Sequence, residues 1–387
     1  MKIAKRVEKL GTEAVYNIFA NTKKLIKQGR QVIDLSLGQS DFKSPNHAVD
    51  AAIKALKDGH HGYTLPNGMI ECREAVSRKI KNLYKANINP ERIVIMPGGK
   101  PTMSFAISFF GEPEAEIIYP DPGFPIYESM INFTGAKAIP YNMAENKDFS
   151  INPDKVLKLI NEKTRLLILN NPHNPTGGFT EKKIIDKLVK GLKNFPNLVI
   201  LSDEVYDRLI FDKEEIPTLL NYPDLYERLI VLNGWSKTYA MTGWRLGWGV
   251  WPDKLIEHVF KFCVNNHSCV NTAAQYGAIA ALDGPEDHLH KMMKEFYARR
   301  KLIVEGLKSL TGVECSLPGG SFFVFPNVKN TGMNGEEFTE ICLQKASVAM
   351  IPGTAFGKFA THNVRINFAT SKENISKAIE KIDKILK

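Results

Sequence analysis

Lys237 stands in the stretch "NGWSKTYAMTGWRLG", among small, aromatic and hydroxyl side chains, with Arg245 eight positions on. No carboxylate lies near it in sequence to pair with it. Two readings of such a lysine compete: a loop residue that follows a buried strand, and an amine kept for covalent chemistry. Three other stretches collect groups that bind or activate. "PGGKPT" (97–102) puts a glycine pair and Lys100 before a helix-permissive run. That suits an anion held by backbone N–H groups at a helix start, although any strand-to-helix turn favours glycine. "NPHNPTGG" (171–178) is rich in turn formers and carries Asn174; alone it is a tight loop. "SDEVYDRL" (202–209) offers Asp203 and Tyr206, at a place where an aspartate commonly caps a helix.

Each of these stretches follows a short apolar run. "RIVIM", "RLLILN", "LVIL" and the further run "AEIIYP" read as strands buried on both faces, as in a parallel sheet. Between them "EKKIIDKLVKGLKN" sets Ile184, Ile185, Leu188, Val189 and Leu192 at helical spacing. Such alternation over roughly 200 residues predicts a doubly wound α/β domain. From Pro285 the texture becomes a long charged helix, then "VECSLPGGSFFVFPNV", a helix, the strand "VRINFA" and a last helix. The expected organisation is therefore an N-terminal segment 1–44 packing with a small domain, a large domain 45–284 and a smaller α+β domain 285–387.

In an open parallel sheet, ligands sit beyond the carboxyl ends of the strands. Those ends here offer an anion cradle, an asparagine, an aspartate, a tyrosine, a lysine and an arginine. The set fits a phosphorylated aldehyde whose ring withdraws electrons. Its phosphate needs N–H donors and an arginine, its ring nitrogen a carboxylate, and its aldehyde a lysine for a Schiff base. Pyridoxal 5'-phosphate requires all three.

From about Ile33 to the C-terminus the sequence resembles the class I/II aminotransferases, the fold type I pyridoxal-phosphate enzymes, and most of all their aspartate and aromatic branch. "SLGQSDF", "YTLPNG", "NPHNPTGG", "SDEVY", "SKTYAMTGWRLG" and "VRINFA" occur in the family's order and near its spacing. The resemblance implies that Lys237 carries the cofactor and shuttles the substrate proton. It implies that Asp203 pairs with the ring nitrogen, Tyr206 and Asn174 bond the ring oxygen, and Phe124 stacks on the ring. Arg245, the turn at Gly99 and Lys100, and Tyr63 of a second subunit would hold the phosphate, and Ser236 is a further cofactor-binding candidate whose hydroxyl could stand in for one absent at Gly234. Arg365 would grip the substrate carboxylate as a bidentate fork, assisted by Asn174 and the backbone at Gly38. An obligate homodimer with shared sites follows from the same resemblance. Two departures stand out. Gly234 occupies a place where many relatives carry a hydroxyl, and Pro101 lacks an N–H that others can donate.

The implied activity is transfer of an amino group between an L-amino acid and a 2-oxo acid. The alternatives are a β-lyase or decarboxylase of the same fold, or a non-enzymatic cofactor-binding regulator. The 51 basic and 42 acidic residues give a net charge of +9, but the lysines are scattered over helical patterns instead of forming a nucleic-acid-binding stripe. Five cysteines without a CxxC pair read as reduced, small hydrophobes. Without a leader-like start or a long apolar run, the expectation is a cytoplasmic protein with no membrane partner. Lys43, Lys100 and His173 are candidate second cations for a substrate side chain, while Phe42, Phe124 and Phe322 favour an apolar one.

Overall fold

The computed structural model describes residues 1–11, 14–212 and 216–387. Its strands in chain order are β1 (Ile33–Asp34), β2 (Ile93–Met96), β3 (Glu116–Asp121), β4 (Lys137–Asn142), β5 (Thr164–Asn170) and β6 (Val199–Asp203). They continue as β7 (Leu229–Gly234), β8 (Gly247–Val250), β9 (Phe323–Val324), β10 (Val348–Ala349), β11 (Ile351–Pro352) and β12 (Val364–Asn367). Seven of them form one sheet in the order β2-β8-β7-β6-β5-β3-β4. Neighbours from β7 through β4 pair in parallel, whereas β8 runs antiparallel to both β7 and β2. The expected mostly parallel sheet is thus present, with one reversed strand near its edge.

Alternation along each strand sends side chains to opposite faces. Ile93, Ile95, Leu167, Leu169, Ile200 and Val231 pack on one face. Val94, Met96, Leu166, Ile168, Leu201 and Ile230 pack on the other. Both faces are covered by helices, which is why these runs are apolar throughout instead of alternating. The helix Lys182–Leu192 buries Ile185, Leu188, Val189 and Leu192 against the first face; Ile184, at the edge of its stripe, is only half-buried. Helices Lys100–Phe110 and Ile126–Thr134 cover the second. Each fully buried aliphatic side chain contributes about 1.5–3 kcal/mol of transfer free energy.

A separate core gathers the C-terminal helices and short strands. The helices Asp287–Ser309 and Lys372–Leu386 close on β9 and β12, burying Phe296, Ile303, Phe322, Ile366 and Ile375. β11, β12 and β9 form an antiparallel sheet of three, and β1 pairs with β10 in parallel. Residues 33–34 are therefore tied to strands contributed more than 300 positions later. Cys72, Cys263, Cys315 and Cys342 are buried, and burial pushes each thiol up to about 12. Among the described residues no helix is long and apolar enough to cross a membrane.

Candidate active site

The carboxyl ends of β5, β6 and β7 lie side by side, with Asn170 opposite Asp203 and Asp203 opposite Leu232. This register delivers the polar residues that follow each strand to one place. Asp203 is the last residue of β6 and is buried. No helix follows it, so it caps none; the chain turns, and Asp203 Oδ1 accepts the Val205 N–H at 3.3 Å. Its other oxygen accepts the Tyr127 hydroxyl at 2.6 Å. Burial raises this carboxyl from 3.8 to about 6, against the lowering influence of the Tyr127 and Val205 bonds and of Lys237.

Lys237 follows β7 and sits with its Nζ 5.5 Å from the ring centres of Tyr206 and Phe322. The amine donates to the Gly38 carbonyl at 2.6 Å. Tyr206 is buried edge-on against Phe322 and Phe323. Burial holds its phenol well above its ordinary pKa, with Arg365 acting in the opposite sense.

Arg365 belongs to β12 and is 3% exposed, so its charge must be satisfied within the protein. Nη1 donates to Asn174 Oδ1 at 3.2 Å and Nη2 to the Ser36 carbonyl at 2.5 Å. The guanidinium also lies over the rings of Phe323 and Phe356, at 4.5 and 4.6 Å. Asn174 is in turn held by its N–H, which donates to Asn170 Oδ1 at 2.9 Å.

The predicted anion cradle is built at the reversed strand. Gly98 has φ +91°, a left-handed conformation open to glycine, and Arg245 lies where a Gly98 Cβ would project. Gly99 is the N-cap of the helix Lys100–Phe110, whose second residue is Pro101. The start of that helix therefore offers one amide fewer than its geometry allows. Lys100 Nζ lies 5.4 Å from the ring centre of Phe124, which stands edge-on to Tyr127 at 5.9 Å. Gly234 has a steric origin: a Cβ there would sit 2.8 Å from Gly247 Cα and 2.9 Å from the Leu246 carbonyl oxygen. A hydroxyl side chain has no room while β7 and β8 pair so closely. Ser236 stands half-buried beside Lys237.

Four nominated residues are placed elsewhere. His173 is not a cation: it is buried, its Nδ1 pairs with Thr176 Oγ1 at 2.7 Å, and burial pushes it down to about 3. Phe42 packs edge-on to Phe296 at 5.8 Å, beneath the Arg299 guanidinium at 5.4 Å. The Lys43 carbonyl binds His288. Tyr63 is 92% exposed on a loop whose base is fixed by Thr272 Oγ1 donating to the Gly62 carbonyl at 2.7 Å. Tyr127, Phe323 and Phe356 were not singled out by the sequence. Their one signal is apolar spacing, which marks core residues in the same way.

The residues fit pyridoxal 5'-phosphate on physical grounds. A buried carboxylate whose ionisation is opposed by burial is stabilised by a cation brought beside it, and a protonated ring nitrogen is one. An amine lies among aromatic faces, and a guanidinium rests on a side-chain-free turn at a helix start, suited to phosphate.

The family profile described as "Aminotransferase class I and II" matches residues 30–382. The chain is 36% identical over 387 residues to an aspartate aminotransferase of Pyrococcus horikoshii, covering 99% of this chain and 97% of that one. It is 32% identical over 391 residues to aromatic-amino-acid aminotransferase 2 of Thermococcus litoralis, covering 100% and 99%. The solved aspartate aminotransferase of Rhizobium meliloti superposes with a TM-score of 0.95 at 28% identity, covering 100% of this chain and 99% of that one.

Proposed function

Because this chain belongs to the class I and II aminotransferases, which pass an amino group between an amino acid and a 2-oxo acid, we propose that it works with pyridoxal 5'-phosphate bonded to Lys237. The observation that carries this reading is the pairing of an amine set between aromatic faces with a buried, cation-seeking carboxylate at the next strand end. When bound, the cofactor supplies an aldehyde that condenses with amines and a ring that withdraws electrons from the substrate Cα.

The chain's own groups do the rest. Arg245, the Gly98–Gly99 turn and the start of the helix Lys100–Phe110 hold the phosphate, with Lys100 adding charge where Pro101 gives no N–H. Asp203 keeps the ring nitrogen protonated, fixed in place by Tyr127. Tyr206 and Asn174 bond the ring oxygen, and Phe124 covers the ring face. Arg365 receives the substrate carboxylate as a planar fork, which orients the Cα–H bond toward Lys237. Once the substrate amine has displaced it from the cofactor, Lys237 Nζ would take that proton and return it two atoms away, on the former aldehyde carbon. The exposure of Tyr63 within one chain suits a role in a second subunit's site, and with it a homodimer. A cytoplasmic location is part of the same reading.

Treating the holoenzyme with borohydride and sequencing its peptides tests the assignment: the cofactor should be fixed to Lys237. Lys237→Ala should lose several orders of magnitude in turnover, since anchor and proton carrier go together. Glutamate should form from 2-oxoglutarate and the donor amino acid. Release of pyruvate and ammonia instead would favour a lyase. A half-reaction with each of the twenty amino acids, followed by the cofactor spectrum, identifies the donor.

A further inference from the structure

Of the two rings under Arg365, Phe323 is contributed by the adjacent strand β9, but Phe356 comes from a 3-10 turn, Gly353–Phe356, that leaves the sheet. The near end of this turn is held by the Gly353 N–H, which donates to the Asn363 carbonyl at 2.7 Å. Its far end is held from the other sheet. Asp121, the last residue of β3, is 2% exposed, and its two oxygens accept the Lys358 N–H at 3.2 Å and the Phe359 N–H at 3.3 Å. The Gly123 N–H donates to the Phe356 carbonyl at 2.8 Å. Gly357 has φ +148°, and a Cβ there would run into the Asp121 carboxylate. Carboxylate and glycine are therefore matched to one another. Phe356 itself is buried with Phe325, Ile351 and Ala360.

We propose that Asp121 is a positioning residue for substrate-carboxylate binding: it fixes, from the seven-stranded sheet, the turn whose Phe356 ring backs the Arg365 guanidinium. The inference rests on the reading of Arg365 as the carboxylate grip. A carboxylate suits this task and an amide does not. The two backbone N–H groups meet different oxygens of Asp121, whereas asparagine would turn an NH2 donor toward one of them. Once that clamp opens, the turn is free to move the ring off the guanidinium, and a desolvated cation over a ring is the arrangement in which such contact counts most.

Asp121→Asn and Phe356→Leu holoenzymes, singly and together, should be compared with Arg365→Lys. We expect KM for the amino donor to rise about tenfold in each single variant, with kcat changed by about twofold or less and the cofactor spectrum unaltered. The double variant should be no worse than Phe356→Leu alone, because both act through one ring. Gly357→Ala, which presses on the carboxylate from the other side, should copy Asp121→Asn and serves in its place if that variant does not fold. Wild-type KM in Asp121→Asn and Phe356→Leu while Arg365→Lys is impaired would overturn the inference alone. Additive effects, or a parallel loss of cofactor affinity, would overturn it too, as signs of general loosening. Wild-type KM in Arg365→Lys would instead overturn the assignment of the carboxylate grip.

Discussion

Tyr127 donates a 2.6 Å hydrogen bond to Asp203, so the carboxylate proposed to meet the cofactor ring is already engaged on one oxygen. The bond favours the ionised form, and burial opposes it, leaving the carboxyl raised to about 6.

The sign of the pH effect follows from that raised value. In the apoprotein, the protonated carboxyl is the form burial favours, so its stabilising contribution is full below the unfolded value near 3.8 and is lost as pH rises through about 6. Cofactor binding needs the ionised form, so affinity should fall as pH drops through the same range. Tyr127→Phe removes a bond to the ionised form and should move the midpoint upward. Cofactor dissociation constants measured from pH 5 to 8 in both proteins check this. An unmoved or lowered midpoint would contradict the role given to Tyr127.

Gly234→Ser should not repair the phosphate site. Its Cβ meets Gly247 Cα at 2.8 Å, so accommodating it forces β7 and β8 apart, at a cost of about 1–3 kcal/mol. Denaturant unfolding of the apoprotein gives the loss directly. A variant of wild-type stability that binds cofactor more tightly would show that the strands have room after all.

Tyr63 provides a test of the shared site. Lys237→Ala and Tyr63→Ala chains, partly unfolded and refolded together in equal amounts, should form half mixed dimers, each with one intact site. Activity should then recover to about a quarter of wild type under two-fold symmetry. Differently tagged chains establish that mixed dimers have formed. Activity no higher than the mean of the parents, with Tyr63→Ala clearly impaired, would place Tyr63 in its own chain's site or outside it.

The sheet was legible because strands buried on both faces write continuous apolar runs, and the parallel arrangement makes their carboxyl ends the place to look. Asp203 occupies such an end and Lys237, Tyr206 and Asn174 follow such ends, and the register of β5 and β6 sets Asn170 directly across from Asp203. The reversal of β8 was not legible, since an antiparallel strand buried on both sides has the same composition. Tyr127 and Phe356 were hidden for a related reason. A ring that serves a charged neighbour and a ring that fills a core occupy the same apolar positions. His173 misled because sequence shows a titratable side chain and not its burial, which here keeps it neutral near pH 7.

The pairing of β1 with β10 sets a schedule for synthesis. Ile33 and Asp34 leave the ribosome early, but their partners Val348 and Ala349 come far later. At about 5–20 residues per second, the gap lasts on the order of a quarter of a minute to a minute. Throughout it, Leu35, 1% exposed in the finished protein, lacks Ala349 and Asn367, whose backbones pair with its own, and the Ser36 and Leu37 carbonyls lack Arg365 and Asn367. The large sheet can assemble from β2 to β8 in the meantime, while β1 must wait for the last tenth of the chain. A nascent chain thus holds β1 without its partner strand for most of its translation, and closes that pairing only as synthesis ends.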